Sequence, residues 1–265
     1  MKKSMIAGIL MLGALLAFGG AQLGIYCRKH LPDTHLGAES KDTVKLLVGL
    51  IATMTALVLG LVVASAKSSF DETDAGVKHF SGKLLTLDRL LARYGPETAE
   101  TRDMLRRVVT ARVDAIWPEE SALPATPRDK MIAKMGDAKT TYPIEEIEDR
   151  IHRLAPQNDR QRWLQSRALT LSSDLLQDRW LMLAGRTSDA VPVQFLVALT
   201  FWLTAIFGIF GLLAPRNATV IAVQFVSAFS VAISIFLVLE LGSPFGGLIK
   251  VSSHPIRYAL SHLGQ

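Results

Sequence analysis

Apolar and polar positions alternate along this chain on two length scales. Four long runs are almost free of charge and reach the length of a membrane crossing: residues 5–25, 46–66, 192–214 and 219–239. The second run, from Leu46 to Ala66, holds 21 residues without a charge. At 1.5 Å per residue that is about 30 Å of helix, the thickness of a bilayer's hydrocarbon core. No helix breaker separates it from the polar stretch SAKSSFDETDAG that follows. One helix is therefore predicted to leave the membrane at Lys67 and continue into water. Inside the span, Gly49, Thr53, Ala56, Gly60 and Ala64 recur at steps of 4, 3, 4 and 4. That spacing keeps five small residues on one face. The ordinary use of such a face is close helix packing in lipid. Arranged around an axis, the same face would form a pore wall.

Between the second and third runs the pattern shortens to helical periods. Phe70, Val77, Phe80, Leu84, Leu87 and Leu91 form a heptad-like seam with Asp74 in its one gap. Gly95-Pro96 is expected to end this helix through a left-handed cap. A second helix is predicted over 97–117, with Leu105, Val108, Val109 and Ile116 inward. Pro118, Pro124 and Pro127 mark a linker, and 136–142 reads as loop. Pro143 opens a third helix with Ile144, Ile147, Ile151 and Leu154 on one side, broken at Ala155-Pro156. A fourth, over 158–184, carries Leu164, Ala168, Leu171, Leu175 and Met182 on one stripe and Leu169, Leu176 and Leu183 on the next. Gly185 and Pro192 are expected to separate it from the third long run. No stretch alternates with period two, so no sheet is predicted.

The fold class that follows is an all-α integral membrane protein. Four transmembrane helices carry a helical cytosolic domain inserted between the second and third spans. The expected division is 1–66 (first span pair), 67–190 (cytosolic domain), 191–239 (second span pair) and 240–265 (cytosolic tail). Gly8, Gly13, Gly19 and Gly20 in the first span, and Thr200, Thr204, Gly208 and Gly211 in the third, predict close helix contacts. Residues 214–217 form a tight turn, so the third and fourth spans make an antiparallel hairpin. The fourth span carries Gln224, Ser227, Ser230 and Ser234. Pro255 starts a short tail helix with Ile256, Leu260 and Leu263 inward.

Charge changes this picture only in orientation. The formal net charge is +5, but residues 67–190 contain 20 Lys and Arg against 20 Asp and Glu. The excess flanks the apolar runs, which argues for membrane orientation and against a nucleic-acid surface. With both termini and 67–190 in the cytoplasm of a bacterial inner membrane, eight Lys and Arg near span ends lie inside and five outside. The first run has a second reading as a signal peptide, with Lys2-Lys3 as its basic end and Gly19-Gly20-Ala21 as cleavage site. Apolar character continuing through Leu23 and Ile25 favours the span.

Candidate chemistry is sparse. There is no phosphate loop, dinucleotide fingerprint, zinc-protease motif or nucleophile elbow, so no enzyme and no cofactor is expected. Cys27, His30 and His35 share one loop, but a short exposed loop lacks the supporting shell of a metal site, and none is assigned. Glu240 is the acid that closes the fourth span. It reads as a helix-end charge facing water or as a carboxylate ring at a cytosolic mouth. Lys67 likewise either snorkels to headgroups or rings an exit. Thr53 either bonds its own helix carbonyl or coordinates an ion. Pro244, Phe245 and Gly247 read as a structural turn that lays the tail back on the domain.

Two stretches are more specific: ATMTALVLGLVVASAKSSFD with LLTLDRLLARYGPET after it, and the ending LELGSPFGGLIKVSSHPIRYALSHL. Both resemble a bacterial membrane family labelled bestrophin-like, and the resemblance covers most of the chain. It implies four spans, cytoplasmic termini, a helical cytosolic region and a pentameric ion channel lined by the second span. Gly49, Thr53, Ala56, Gly60 and Ala64 would then line the pore, with Lys67 and Glu240 at the cytosolic mouth. Animal bestrophins have aromatic residues at the pore neck and a calcium-binding acidic cluster after the last span. Here the second span has no Phe, Tyr or Trp, and Glu240 stands alone. The expected partners are the lipid bilayer and copies of the chain itself, with no nucleic acid. The rival reading is a non-conducting membrane anchor whose cytosolic helices bind a protein partner.

Overall fold

The structure is a computed structural model that describes residues 3–30, 32, 37–118, 142–187, 193–215 and 217–265. Among these the chain is all-helical: α1 (Lys3–Cys27), α2 (Ala38–Tyr94), a 3-10 turn (Pro96–Thr98), α3 (Ala99–Ile116), α4 (Tyr142–His152), α5 (Asp159–Thr187), α6 (Val193–Leu213), α7 (Ala218–Leu241) and α8 (His254–His262). Pro124, Pro127, Gly136, His35 and Pro192 lie outside the described residues. The second apolar run and the heptad seam are one unbroken helix of 57 residues. Three described helices, α2, α6 and α7, are long and apolar enough to cross a membrane, and Leu15–Cys27 of α1 is a shorter apolar stretch.

Contacts divide the chain into two compact units: Met1–Phe70 with Asp189–Lys250, and Asp71–Ser188 with Val251–Gln265. The tail from Val251 onward therefore belongs to the helical unit and is not a segment of its own.

In the first unit, α1 packs on α6 and α7. Small residues bring the α1 and α6 backbones close, beside a cluster in which Phe207 of α6 packs with Ala17 and Ala21 of α1. A Cβ at Gly20 would lie 2.7 Å from the Thr204 carbonyl, and one at Gly24 would lie 2.8 Å from the Leu212 amide. A Cβ at Gly211 would collide with the Ala21 backbone. Lipid tails are as apolar as leucine, so burying leucine there gains little and close backbone approach gains dispersion contact instead. Gly24 is the tightest of these positions and was not among the glycines the first span's pattern singled out. A Cβ at Gly19, which was, would meet nothing within 4 Å. Arg28 donates to the Ala214 carbonyl, tying the end of α1 to the end of α6. Asn217 caps α7 by accepting from the Val220 amide at 2.8 Å.

The second unit is built by burying large aliphatics. Leu84, Leu87, Leu91, Val113, Ile147, Ile151 and Leu164 are all but fully enclosed. From Val77 onward the seam read from sequence is the buried face of α2 here, with Phe80 half-buried, while Phe70 packs in the first unit. On α5, Leu164, Ala168, Leu171 and Leu175 are buried, while Leu169 and Leu176 are half-buried. Two expectations change. Gly95 adopts φ 150° and ψ 177°, an extended region open essentially to glycine alone and not the left-handed helical cap. A 3-10 turn follows, and the Thr98 hydroxyl closes α2 by donating to Leu91 O at 2.6 Å. Secondly, α5 runs through Gly185 to Thr187. A lone glycine weakens a helix by about 1 kcal/mol and does not stop it.

Candidate functional site

The small-residue face of α2 is uncovered along its whole length. Gly49, Thr53, Ala56, Gly60 and Ala64 are each exposed, and a Cβ built at Gly49 or Gly60 would meet nothing within 4 Å. The packed face lies roughly opposite. Val48, Thr55, Val62 and Ala66 are buried, and Val62 and Ala66 join Leu199 of α6 and Val238 and Leu241 of α7 in one cluster. At about 100° per residue, a third face between these two carries Leu46, Leu50, Met54, Leu57 and Leu61, all exposed. This half of α2 thus has one packed face, one bulky apolar face and one narrow face of glycine, alanine and a hydroxyl. Thr53 Oγ1 donates to Leu50 O at 2.8 Å and Gly49 O at 3.0 Å. Its proton serves its own helix.

Lys67 is exposed one helical turn past the narrow face's last residue. Glu240 is elsewhere. It is 0 % exposed, which corrects both readings of it as a water-facing end charge and as a mouth residue. The turn that follows α7 folds back over it. Its Oε2 accepts from the Leu248 amide and from the Ile249 amide at 3.3 Å, while Oε1 is buried without a partner among the described residues. Pro244 and Phe245 form the turn, and Gly247 is needed because a Cβ there would collide with the Glu240 carboxylate. The tail beyond it packs on α3 within the second unit, where Trp117 Nε1 donates to Val251 O at 2.9 Å.

Sequence patterns did not reveal the polar centre of the second unit. Asp88 is 0 % exposed and receives Arg102 Nε at 2.8 Å and Arg102 Nη2 at 2.9 Å, a bidentate pair. The hydrogen bond to Asp88 raises the Arg102 pKa above its ordinary value. Arg102 and Arg89 also donate to Gln265 O, each at 3.1 Å, so the pair holds the tail's last turn. The available signal was an aspartate lying between Leu87 and Leu91 in a buried seam. Burial pushes the Tyr94 hydroxyl pKa up, with Glu97 adding to it. Cys27 is exposed, and among the described residues no group of three or more His, Cys, Asp or Glu could hold a metal ion.

Comparison with known proteins adds to this geometry. A family model described as Bestrophin-like domain matches residues 15–256. Among solved structures, a variant of a bacterial bestrophin homologue from Klebsiella pneumoniae superposes with TM-score 0.58 at 18% identity, covering 98% of this chain and 100% of that one. The same homologue solved by zinc phasing gives TM-score 0.60 at 16% identity, with 97% of each chain covered. A structure described as a membrane protein variant gives TM-score 0.60 at 16% identity over 97% of each chain. No curated protein sequence matches.

Proposed function

The chain belongs to the bestrophin-like family, and from that premise we propose that it is a channel-related membrane protein whose copies surround a shared axis, with α2 lining the path. Four spans over 5–25, 46–66, 192–214 and 219–239 place both termini and residues 67–190 in the cytoplasm of a bacterial inner membrane. Gly49, Thr53, Ala56, Gly60 and Ala64 face the axis, in a pentamer by the family's pattern. Lys67 rings the cytosolic exit, where a circle of ammonium groups would favour anions. Glu240 has no part in the path, because it is spent on the turn after α7.

The observation that carries this reading is the bare narrow face of α2. A helix whose opposite side is packed within its own chain still presents a groove-like row of small residues to something else. A bulky row lies beside it that suits lipid or a neighbouring copy. Close packing against a second helix would use the same row, and no described helix of the same chain occupies it.

Single cysteines at Thr53 and Gly60 in a Cys27→Ser background test the proposal in planar bilayers. Current that a charged thiol reagent blocks at both positions is the expected result. A stable oligomer that passes no current in either chloride or cation gradients would overturn the conduit and favour the anchor reading.

A further inference from the structure

We propose that the turn after α7 is a lipid-contacting element, in which Leu248 and Ile249 enter the boundary between headgroups and acyl chains and the Glu240 carboxylate shapes the turn for that place. The proposal rests on the reading that α7 crosses the bilayer.

Backbone N–H groups that leave water must find acceptors inside the protein, and a loop seldom supplies them. This one does. The Gly246 and Gly247 amides donate to Ser243 O at 3.1 and 3.3 Å. The Leu248 and Ile249 amides then donate to Glu240 Oε2. Four consecutive donors are thereby satisfied without solvent, the last two by a carboxylate with no exposure of its own. A turn in water needs no such device. The side chains of the residues so treated nevertheless point out: Leu248 is 64% exposed and Ile249 39%. Two adjacent aliphatic side chains are thus presented outward by a backbone whose N–H groups are satisfied beneath them.

Their level is fixed by the same hydrogen bonds. Glu240 lies in the last turn of α7, so Leu248 and Ile249 sit beside the end of an apolar helix whose flank is also exposed at Phe229, Ile233 and Leu237. The apolar tip is anchored at that end of the helix. Lys250, exposed directly after it, supplies the cation that suits phosphate headgroups at this depth. Gly247 completes the design, because the backbone reaches the carboxylate only without a side chain there. The occupant is therefore the interfacial layer of a phospholipid leaflet.

The test uses the full chain in vesicles of phosphatidylcholine and phosphatidylglycerol, in a Cys27→Ser background. An environment-sensitive fluorophore is attached through Leu248→Cys, and separately through Phe229→Cys in α7. Lipids brominated near the headgroup should quench the first label more than lipids brominated deep in the chain, and the order should reverse for the second. Adding Glu240→Ala should abolish the shallow quenching at position 248 and make that label accessible to aqueous iodide. Lipid quenching at 229 with none at 248 would overturn the proposal and leave the spanning helix intact. The outcome would be the same whether the 248 label met iodide or was shielded by a second copy. Absence of lipid quenching at both positions would overturn the spanning reading as well.

Discussion

Between residues 46 and 66, α2 buries Val48, Thr55, Val62 and Ala66 and leaves Leu46, Leu50, Leu57 and Leu61 uncovered. Between residues 77 and 94 the same helix buries Val77, Leu84, Leu87, Leu90, Leu91 and Tyr94. In the first half three of the four buried side chains are β-branched or large only as valine, and the leucines face out. In the second half the leucines are the core. No change of backbone accompanies this inversion. On the proposed topology its cause is the medium: water drives leucine inward at about 25 cal/mol per Å² of apolar surface, and hydrocarbon does not. The lesson extends to polar groups. The half within the second unit is fastened by charged pairs such as Asp88–Arg102 and by Lys83–Asp178 at 2.8 Å. The first unit instead brings α1 and α6 together through close glycine contacts and the bond from Arg28 to the Ala214 carbonyl.

The comparison breaks most sharply at Asp88. Asp88→Ala leaves Arg102 largely buried without its partner and should destabilise the second unit by about 3–5 kcal/mol. Chemical denaturation followed by tail proteolysis would measure it, and the first unit should keep its protease resistance. A milder contrast compares equal truncations on the two halves. Leu87→Ala should cost about 2–5 kcal/mol, whereas Leu57→Ala should stay within about 0.5 kcal/mol for the separate chain in detergent. A larger loss for Leu57→Ala in the assembled protein would assign the bulky row to contact between copies.

The smallest effect concerns Glu100. Its hydrogen bond to Arg150 holds the carboxyl below its ordinary value, with their charge attraction next in importance. A depressed carboxyl contributes its stability fully above the unfolded value, about 4.3, and loses it as pH falls through the lower folded value. Arg150→Gln should therefore flatten the stability profile of the second unit below about pH 4.3, the ordinary glutamate value. The change is small because the pair is exposed to solvent.

Much of α2 could be read in advance because both of its halves repeat. An uncharged run long enough to cross a bilayer and a heptad seam are periodic signals that each residue reinforces. The narrow face was legible for the same reason, and so were Thr204, Gly208 and Gly211 as a packing row. Glu240 was not. Its partners are the amides of Leu248 and Ile249, reached by a reversal of the chain, and backbone donors carry no sequence signature. Only the pairing of an acid with Pro244 and Gly247 hinted at the fold-back. Asp88 was hidden differently. Its partner lies 14 residues away across the Gly95 bend, and neither helical period connects the two. The bend itself was foreseen, but the 3-10 turn that aims α3 depends on Thr98 reaching Leu91 O.

The glycine contacts between α1 and α6 bear on how the protein is made. Arg28 and the carbonyl it holds, Ala214, are separated by 186 positions in the chain. At a ribosomal pace of 5–20 residues per second, about 10–40 s pass between their appearances. On the proposed topology the first helix waits in the bilayer through that interval with its mating surface unoccupied, while α2 through α5 emerge. The long helix and α3 to α5 are therefore synthesised before α6 and α7 arrive, and α8, which completes the second unit, comes last.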